Sequence, residues 1–393
     1  MSSFKMTSVE RRATISLSMI MSLRMLGLFM ILPVFSLYTQ HLSFATPLLI
    51  GIAMGIYGLT QGIFQIPFGM ISDHFGRRKI ITFGLLIFIL GSILAAKSHT
   101  IFGVILGRSL QGAGAVGSTI IAMLADLTRD NQRTKAMAVA GITIGLSFSL
   151  GMVLGPVFFN WINLFWLGAI FGLIAILLLF LWTPVPEKTT WHADTEPELT
   201  QFGALLKDPQ LLRLNAGIFL LHAILTASFV ILPLSLEQLA GVHGNHQWRI
   251  FLPALLLAFV LILPFIMAAE KKERVKTFFL GAIIVLGLSE FILWFFAKNL
   301  LLSLLGLLLF FAAFSLLEAF LPSLVSRTAP PSRKGTALGI YSSSQFLGIF
   351  IGGVAGGWIY GAMGLTEVYL FCVALAGIWF AIAFNMKKPQ YRK

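Results

Sequence analysis

The sequence predicts an all-α polytopic membrane protein: twelve transmembrane helices in two pseudo-symmetric six-helix bundles. Three observations carry that reading. Of the 393 residues, 58% are hydrophobic and 11% charged, with a mean hydropathy of +0.91, whereas a soluble globular domain carries roughly 25% charged residues. The apolar residues gather in twelve runs, each near or above the roughly 18 to 20 residues a helix needs to cross the hydrocarbon core. The last six runs also repeat the first six at a constant offset of 197 residues.

In chain order the runs cover 14–38, 46–71, 79–97, 100–126, 135–159, 161–183, 214–237, 249–269, 277–297, 299–322, 335–358 and 362–385. Within a bilayer only helices and closed barrels satisfy the backbone, and runs of this length without period-two alternation are helices. The first run is too long for the apolar core of a signal peptide and lacks a small-residue cleavage site, so no cleavable signal is expected. The longest break falls between the sixth and seventh runs. It divides the chain into an N-terminal bundle at 1–186, a cytoplasmic linker at 187–212 and a C-terminal bundle at 213–393. In the linker Leu199, Phe202, Leu205 and Leu206 share one helical face, which suits either a short helix on the membrane surface or a solvated connector.

The net charge of +13 raises the question of a nucleic-acid partner. The basic residues do not form a patch, however; they recur in the short breaks between apolar runs, so the partner is the lipid bilayer and not nucleic acid. Twenty-three of the 28 Lys and Arg residues fall on one side, including Lys5, Arg77, Arg129, Lys271, Arg333 and Lys393, against Lys97, Arg249 and Lys298 on the other. By the positive-inside rule both termini are cytoplasmic. The single cysteine, Cys372, lies in an apolar run, which leaves no intrachain disulfide and no basis for a zinc site. No cofactor and no metal are expected.

The repeat is specific. At the same offset Pro67-Phe68 aligns with Pro264-Phe265, Asp73 with Glu270, Arg77 with Arg274, Gly84 with Gly281, Gly151 with Gly348, Gly155 with Gly352 and Trp161 with Trp358. A parallel duplication of this kind places a transporter's site between its halves. The two copies are not equivalent. The turn Gly69-Met-Ile-Ser-Asp73-His-Phe-Gly76-Arg77-Arg78-Lys79 returns as Glu270-Lys-Lys-Glu-Arg274-Val-Lys276, keeping charge and losing both glycines.

That first turn joins two membrane runs too tightly to be a tether. The eleventh run starts near Pro330-Pro331-Ser332, with Ser332 a fair N-cap and the positive helix end on the same side as the turn. Asp73 can dock on the amides around Gly335, where the missing Cβ permits close approach, and Asp126 can hold Arg77. A solvated loop that only sets topology is the plainer alternative. In the fifth run Gly151 and Gly155 form a small-xxx-small face and Pro156 frees a carbonyl and permits a bend; Gly348, Gly352 and Gly356 repeat the pattern in the eleventh run.

The turn resembles the signature loop of the major facilitator superfamily, Gly-x-x-x-Asp-Arg-x-Gly-Arg-Arg, with His74 in place of the first arginine. Arg108-Ser-Leu-Gln111-Gly112-Ala-Gly114 resembles that family's second motif. Gly151-Met-Val-Leu-Gly155-Pro156 resembles the antiporter motif of its drug:proton antiporters, without the trailing glycine pair. The resemblance implies a bacterial inner-membrane carrier. Gly69, Asp73, Gly76, Arg77, Arg78, Asp126 and Gly335 would form a cytoplasmic latch closed when the site faces outward, and the antiporter motif would lie on an interface where the halves tilt. The likeness is strongest to a member with an added soluble C-terminal domain; a chain ending at Lys393 is then a shorter relative or a truncated form.

Ionisable residues within runs are costly and hence candidates for function. Arg24 lies mid-way along the first run, and Arg108 about 12 Å in from the outer end of the fourth. His222 and Glu318 can titrate, while Arg24 and Arg108 stay charged. Glu318 sits close enough to Pro322 to reach the cytoplasmic surface, His222 also reads as a hydrogen-bonded core histidine, and Glu290 falls on a run expected at the periphery. Tyr57, Gln61 and Gln65, spaced four apart, either line a cavity with Gln111 or tie helices together.

These residues make the chain a secondary active transporter working by alternating access, with export of drug-like or amphipathic small molecules against protons implied by the resemblance. A sugar or metabolite facilitator, or a receptor of the same fold, are the alternatives. The chain is expected to act as a monomer and not as an enzyme: it lacks a clustered His, Asp and Glu set, and it has no Gly-x-x-x-x-Gly-Lys loop for ATP.

Overall fold

The computed structural model describes residues 5–159, 161–186, 202–271, 274–330 and 333–387. Its order matches the apolar runs. Helix α1 (Ser8–Phe29) starts on a capping box, with Thr7 Oγ1 accepting from the Glu10 amide at 3.2 Å and the Thr7 amide donating to Glu10 Oε2 at 2.7 Å. Pro33 interrupts the first run in a short 3-10 turn at Leu32–Val34, and α2 (Phe35–Thr39) completes the crossing. Then come α3 (Pro47–Phe75), α4 (Arg77–Lys97), α5 (Ile101–Ala113), α6 (Gly117–Asp126), α7 (Asp130–Phe158) and α8 (Leu164–Leu181). A single turn, α9 (Phe202–Leu205), precedes α10 (Pro209–Gln238), α11 (Trp248–Lys271), α12 (Val275–Phe295), α13 (Leu300–Thr328), α14 (Lys334–Met363) and α15 (Glu367–Phe384).

Among the described residues eleven spans are long and apolar enough to cross a membrane. The expected fourth is present as two pieces, because the chain leaves helical geometry at Gly114 (φ −72°, ψ 50°). The break is closely packed against α4. A Cβ at Gly114 would press on the Gly84 carbonyl and come within 3.1 Å of the Phe88 amide of α4.

Cationic side chains reach helix C-terminal carbonyls in both halves. Arg78, at the start of α4, donates to the Phe180 carbonyl near the end of α8 at 2.8 Å, and Arg12 donates to the Trp182 carbonyl at 2.5 Å. In the second half Lys276, at the start of α12, donates to the Phe384 carbonyl ending α15 at 2.8 Å. Each contact supplies a cation to carbonyls that a helix C-terminus leaves unpaired. These contacts gather at one end of the bundles, called here the basic end. The opposite end holds the turns after α2, α4, α7 and α10, tied by the Ser43–Thr100 bridge and by Asn163 donating to the Ala96 carbonyl at 3.2 Å.

Of the linker helix expected within 187–212, residues 187–201, including Leu199, lie outside the described residues. The one turn of α9 comes next, packed on α14 with Leu205 buried and Leu206 exposed. Ser332 also lies outside the described residues; Arg333 takes the N-cap position of α14, without a side-chain cap.

The halves meet along glycines. A Cβ at Gly51 of α3 would collide with the Gly353 carbonyl of α14 and lie 2.9 Å from the Gly357 Cα; at Gly55 it would lie 2.8 Å from the Phe350 carbonyl, and at Gly58 2.6 Å from that of Phe346. At Gly62 the nearest atom is the Phe346 side chain at 3.3 Å, and at Gly69 only Ser118 of the same half lies within 4 Å. The helices α3 and α14 therefore converge toward the opposite end and part toward the basic end. Ser36 Oγ adds a cross-half bond to the Val230 carbonyl at 2.6 Å near the closed end.

Candidate functional site

At the basic end, α3 stops because Gly76 takes φ +92°, a conformation that disfavours side chains with a Cβ. The reversal points Arg77 back into the first bundle. Its Nε donates to Asp126 Oδ2 at 3.0 Å and its Nη1 to Ser72 Oγ at 2.7 Å, with both side chains of the Arg77–Asp126 pair fully buried. Asp73 also pairs with Arg77, and its side chain is 31% exposed. Asp73 and Gly335 are not hydrogen-bonded to each other. The parting of α3 and α14 explains this, since Asp73 lies beyond Gly69 on the diverging stretch. Beside the turn, Glu10 receives the Arg129 guanidinium at 2.7 and 2.9 Å, and these bonds hold Arg129 above the usual arginine pKa.

Deeper in the first half lies a polar chain that crosses four helices. Arg24 Nη2 donates to Gln61 Oε1 at 2.5 Å, as does the Tyr57 hydroxyl at 2.6 Å. Arg108 stands 5.0 Å from the Tyr57 ring centroid and donates to Gln111 Oε1 at 3.0 Å, and Gln111 Nε2 donates to Ser92 Oγ at 2.8 Å. All five residues from Arg24 to Gln111 are buried. Gln65, also buried, offers its carbonyl to Ser118 Oγ at 2.6 Å.

The second half faces this chain with a different set. His222 of α10 lies with Nε2 4.0 Å from Glu318 Oε2 of α13 and 2.8 Å from Gln345 Nε2 of α14. Its Nδ1 is 3.3 Å from the Ile218 carbonyl. A carbonyl can only accept, so Nδ1 carries the proton and Nε2 accepts from the Gln345 amide. Glu290 is elsewhere, fully buried inside the second bundle, where Ser228 Oγ donates to it at 2.7 Å.

The sequence profile of the Major Facilitator Superfamily matches residues 17–269 and again 246–393. The chain belongs to this superfamily. It is 45% identical over 396 residues to the inner membrane transport protein YajR of Escherichia coli K12, spanning 100% of this chain and 87% of YajR. It is 26% identical over 385 residues to the multidrug resistance protein MdtH of Proteus mirabilis, covering 93% of both. In fold it is similar to a bacterial homologue of the human lysosomal transporter Spinster in an inward-facing, occupied conformation, with a TM-score of 0.76 at 15% identity over 98% of both chains. The chain is thus a multi-pass membrane transporter and not an enzyme.

In this major facilitator chain Gly151 and Gly155 of α7 lie against Phe29 and Met30, next to Pro33, in their own half. Pro156 sits just after them inside α7. Their counterparts Gly348 and Gly352 lie against Phe219 and Ala223 of α10, again within one half. The antiporter-motif glycines therefore pack a bundle together, and the seam between bundles is built by Gly51, Gly55 and Gly58 with Gly353 and Gly357. Those residues also form a small-xxx-small pattern, legible in the second and eleventh runs beside the glycines that drew attention first.

Proposed function

We propose that this major facilitator transporter is an alternating-access exporter of amphipathic small molecules, driven by inward proton movement across a bacterial inner membrane, and that the conformation seen is open to the cytoplasm. The observation carrying this reading is the seam of α3 and α14, in backbone contact at one end and parted at the basic end. The positive-inside rule assigns the basic end to the cytoplasm. The name of YajR supports the membrane, and that of MdtH the class of cargo.

Coupling to protons is assigned to His222 and Glu318. Protonating His222 turns Nε2 from acceptor to donor, so the Gln345 amide must rotate or withdraw. Gln345 belongs to α14, the helix that forms the seam, and this links one proton to movement of the halves. Glu318, with a side chain 39% exposed, exchanges that proton with water. Arg77 and Asp126 form the fixed base of the latch, and Asp73 reaches the α14 N-terminus near Gly335 when the cytoplasmic side closes.

The test is uptake into proteoliposomes under an imposed pH gradient, across a panel of amphipathic compounds. Wild-type flux should depend on the gradient, and Glu318→Gln should transport at a rate independent of pH. A wild-type flux that ignores pH would point to a facilitator, and saturable binding without flux to a receptor. Asp73→Asn is expected to insert normally, measured as protein in the membrane fraction, and to transport more slowly. Wild-type flux from that variant would remove the latch from the mechanism.

A further inference from the structure

We propose that the first half holds a binding site for the anionic head of the transported molecule, so that the cargo is an amphipathic organic anion such as a carboxylate. The inference rests on the transporter reading above and narrows its substrate class.

The site begins at the break in the fourth span. Because α5 ends at Ala113 and α6 restarts at Gly117, a helix N-terminus stands inside the bundle at mid-depth. The first bond of the new helix is the Ile120 amide to the Val116 carbonyl, at 2.9 Å. The amides of Gly117, Ser118 and Thr119 therefore precede the helical ladder, at the positive end of the helix dipole. Discontinuous transmembrane helices use such ends to meet anionic groups.

A second observation is independent of the helix end. Arg24 is 1% exposed, yet among the described residues its Nε and Nη1 have no hydrogen-bond partner. Its remaining nitrogen reaches Gln61, and Gly117 packs on the same glutamine: a Cβ there would lie 3.9 Å from Gln61 Nε2. Thr119 Oγ1, buried at the third position of α6, is also without a partner. The unused donors of Arg24 and the first amides of α6 are brought together around Gln61.

Charge balance completes the argument. Residues 1–186 contain four acids, Glu10, Asp73, Asp126 and Asp130. Each pairs with an arginine at the basic end: Arg129, Arg77, Arg77 and Arg133. Arg24 and Arg108 thus share a low-dielectric core with a positive helix end and no acid of their own half, an arrangement that favours an incoming anion. An apolar body on that anion suits the wall across the seam, where Phe148 stacks on Phe314 at 5.9 Å.

The experiment compares three probes of one shape on purified, reconstituted protein: naphthalene-2-carboxylate, naphthalene-2-carboxamide and 2-naphthylmethylammonium. Binding is read by calorimetry and flux in proteoliposomes. The wild type should prefer the carboxylate by about tenfold or more, the worth of one charge-assisted hydrogen-bond set. Arg24→Gln should lose that preference with carboxamide binding unchanged, and Arg24→Lys, which keeps the charge, should retain part of it. The wild-type ranking and the lysine variant still decide the matter if the glutamine variant fails to fold. Equal or stronger binding of the ammonium or carboxamide probe overturns the proposal, as does absence of saturable carboxylate binding. A carboxylate preference that appears only in Glu318→Gln also overturns it, by making Glu318 the internal counter-charge. Carboxylate flux without pH dependence leaves the anion site standing and removes the proton coupling instead.

Discussion

Gly51→Leu is expected to abolish transport and to shift the protein away from the conformation described here. At Gly51 even one added carbon would collide with the Gly353 carbonyl and lie 2.9 Å from the Gly357 Cα. Both obstacles are backbone, so neither can rotate aside. Overpacking a tight interior costs about 1–3 kcal/mol, and a whole isobutyl group at a helix crossing belongs at the upper end of that range. A penalty of about 3 kcal/mol lowers the population of the state sealed at this end by about a hundredfold. In the alternating-access reading proposed above, α3 and α14 separate at this end in the other conformation, so the penalty falls on one conformation and spares the other. Distance measurements between spin labels on exposed positions of Phe44 and Met363 should lengthen, and flux should vanish while expression holds. Wild-type distances in the variant would mean that the glycine seam is not the moving contact.

Arg77→Met is expected to destabilise the first bundle by about 3–5 kcal/mol, the range found when one partner of a buried ion pair is removed. The loss comes from what stays behind. Asp126 is fully buried with Arg77 at 3.0 Å, and the same guanidinium serves Ser72 and Asp73. Methionine replaces the packing of the arginine stem without its donors, leaving a carboxylate in a site shaped for an ion pair. Thermal unfolding in detergent should fall by several degrees, and Arg77→Met with Asp126→Asn should recover part of the difference, because the double variant removes the carboxylate that Arg77 had neutralised. An unchanged melting temperature in the single variant would show that the pair carries little weight in the bundle.

Several features needed only the one-dimensional pattern. The duplication was legible in the constant offset that pairs Gly151 with Gly348 and Gly155 with Gly352, and both pairs of glycines pack within their own half. The ion pair of Arg77 with Asp126 was legible because the turn is short and both residues lie at the same membrane face. The break at Gly114 was not legible, since glycine also occurs inside unbroken helices here, as at Gly84 and Gly91. Close backbone does not separate them either, since a Cβ at Gly91 would lie 2.6 Å from the Gly107 carbonyl inside an unbroken helix. The antiporter-motif glycines illustrate a similar limit. A small-residue face announces close packing, but the neighbour it meets depends on how the helices are arranged, and for Gly151 and Gly155 that neighbour is the end of α1 and the 3-10 turn after it, in the same half.

Membrane residence, the number of crossings, the duplication and the superfamily come from the sequence by itself. These depend on composition, run length and residue order, and a bilayer permits few other ways to satisfy an apolar backbone. Tertiary structure alone decided which glycines form the seam, that the seam is joined at one end and parted at the other, and that Arg24, Gln61 and the start of α6 share one locality. Each of these is a relation between helices distant in the chain. Local spacing sets the face on which a residue lies, and only the packing of whole helices sets what that face meets.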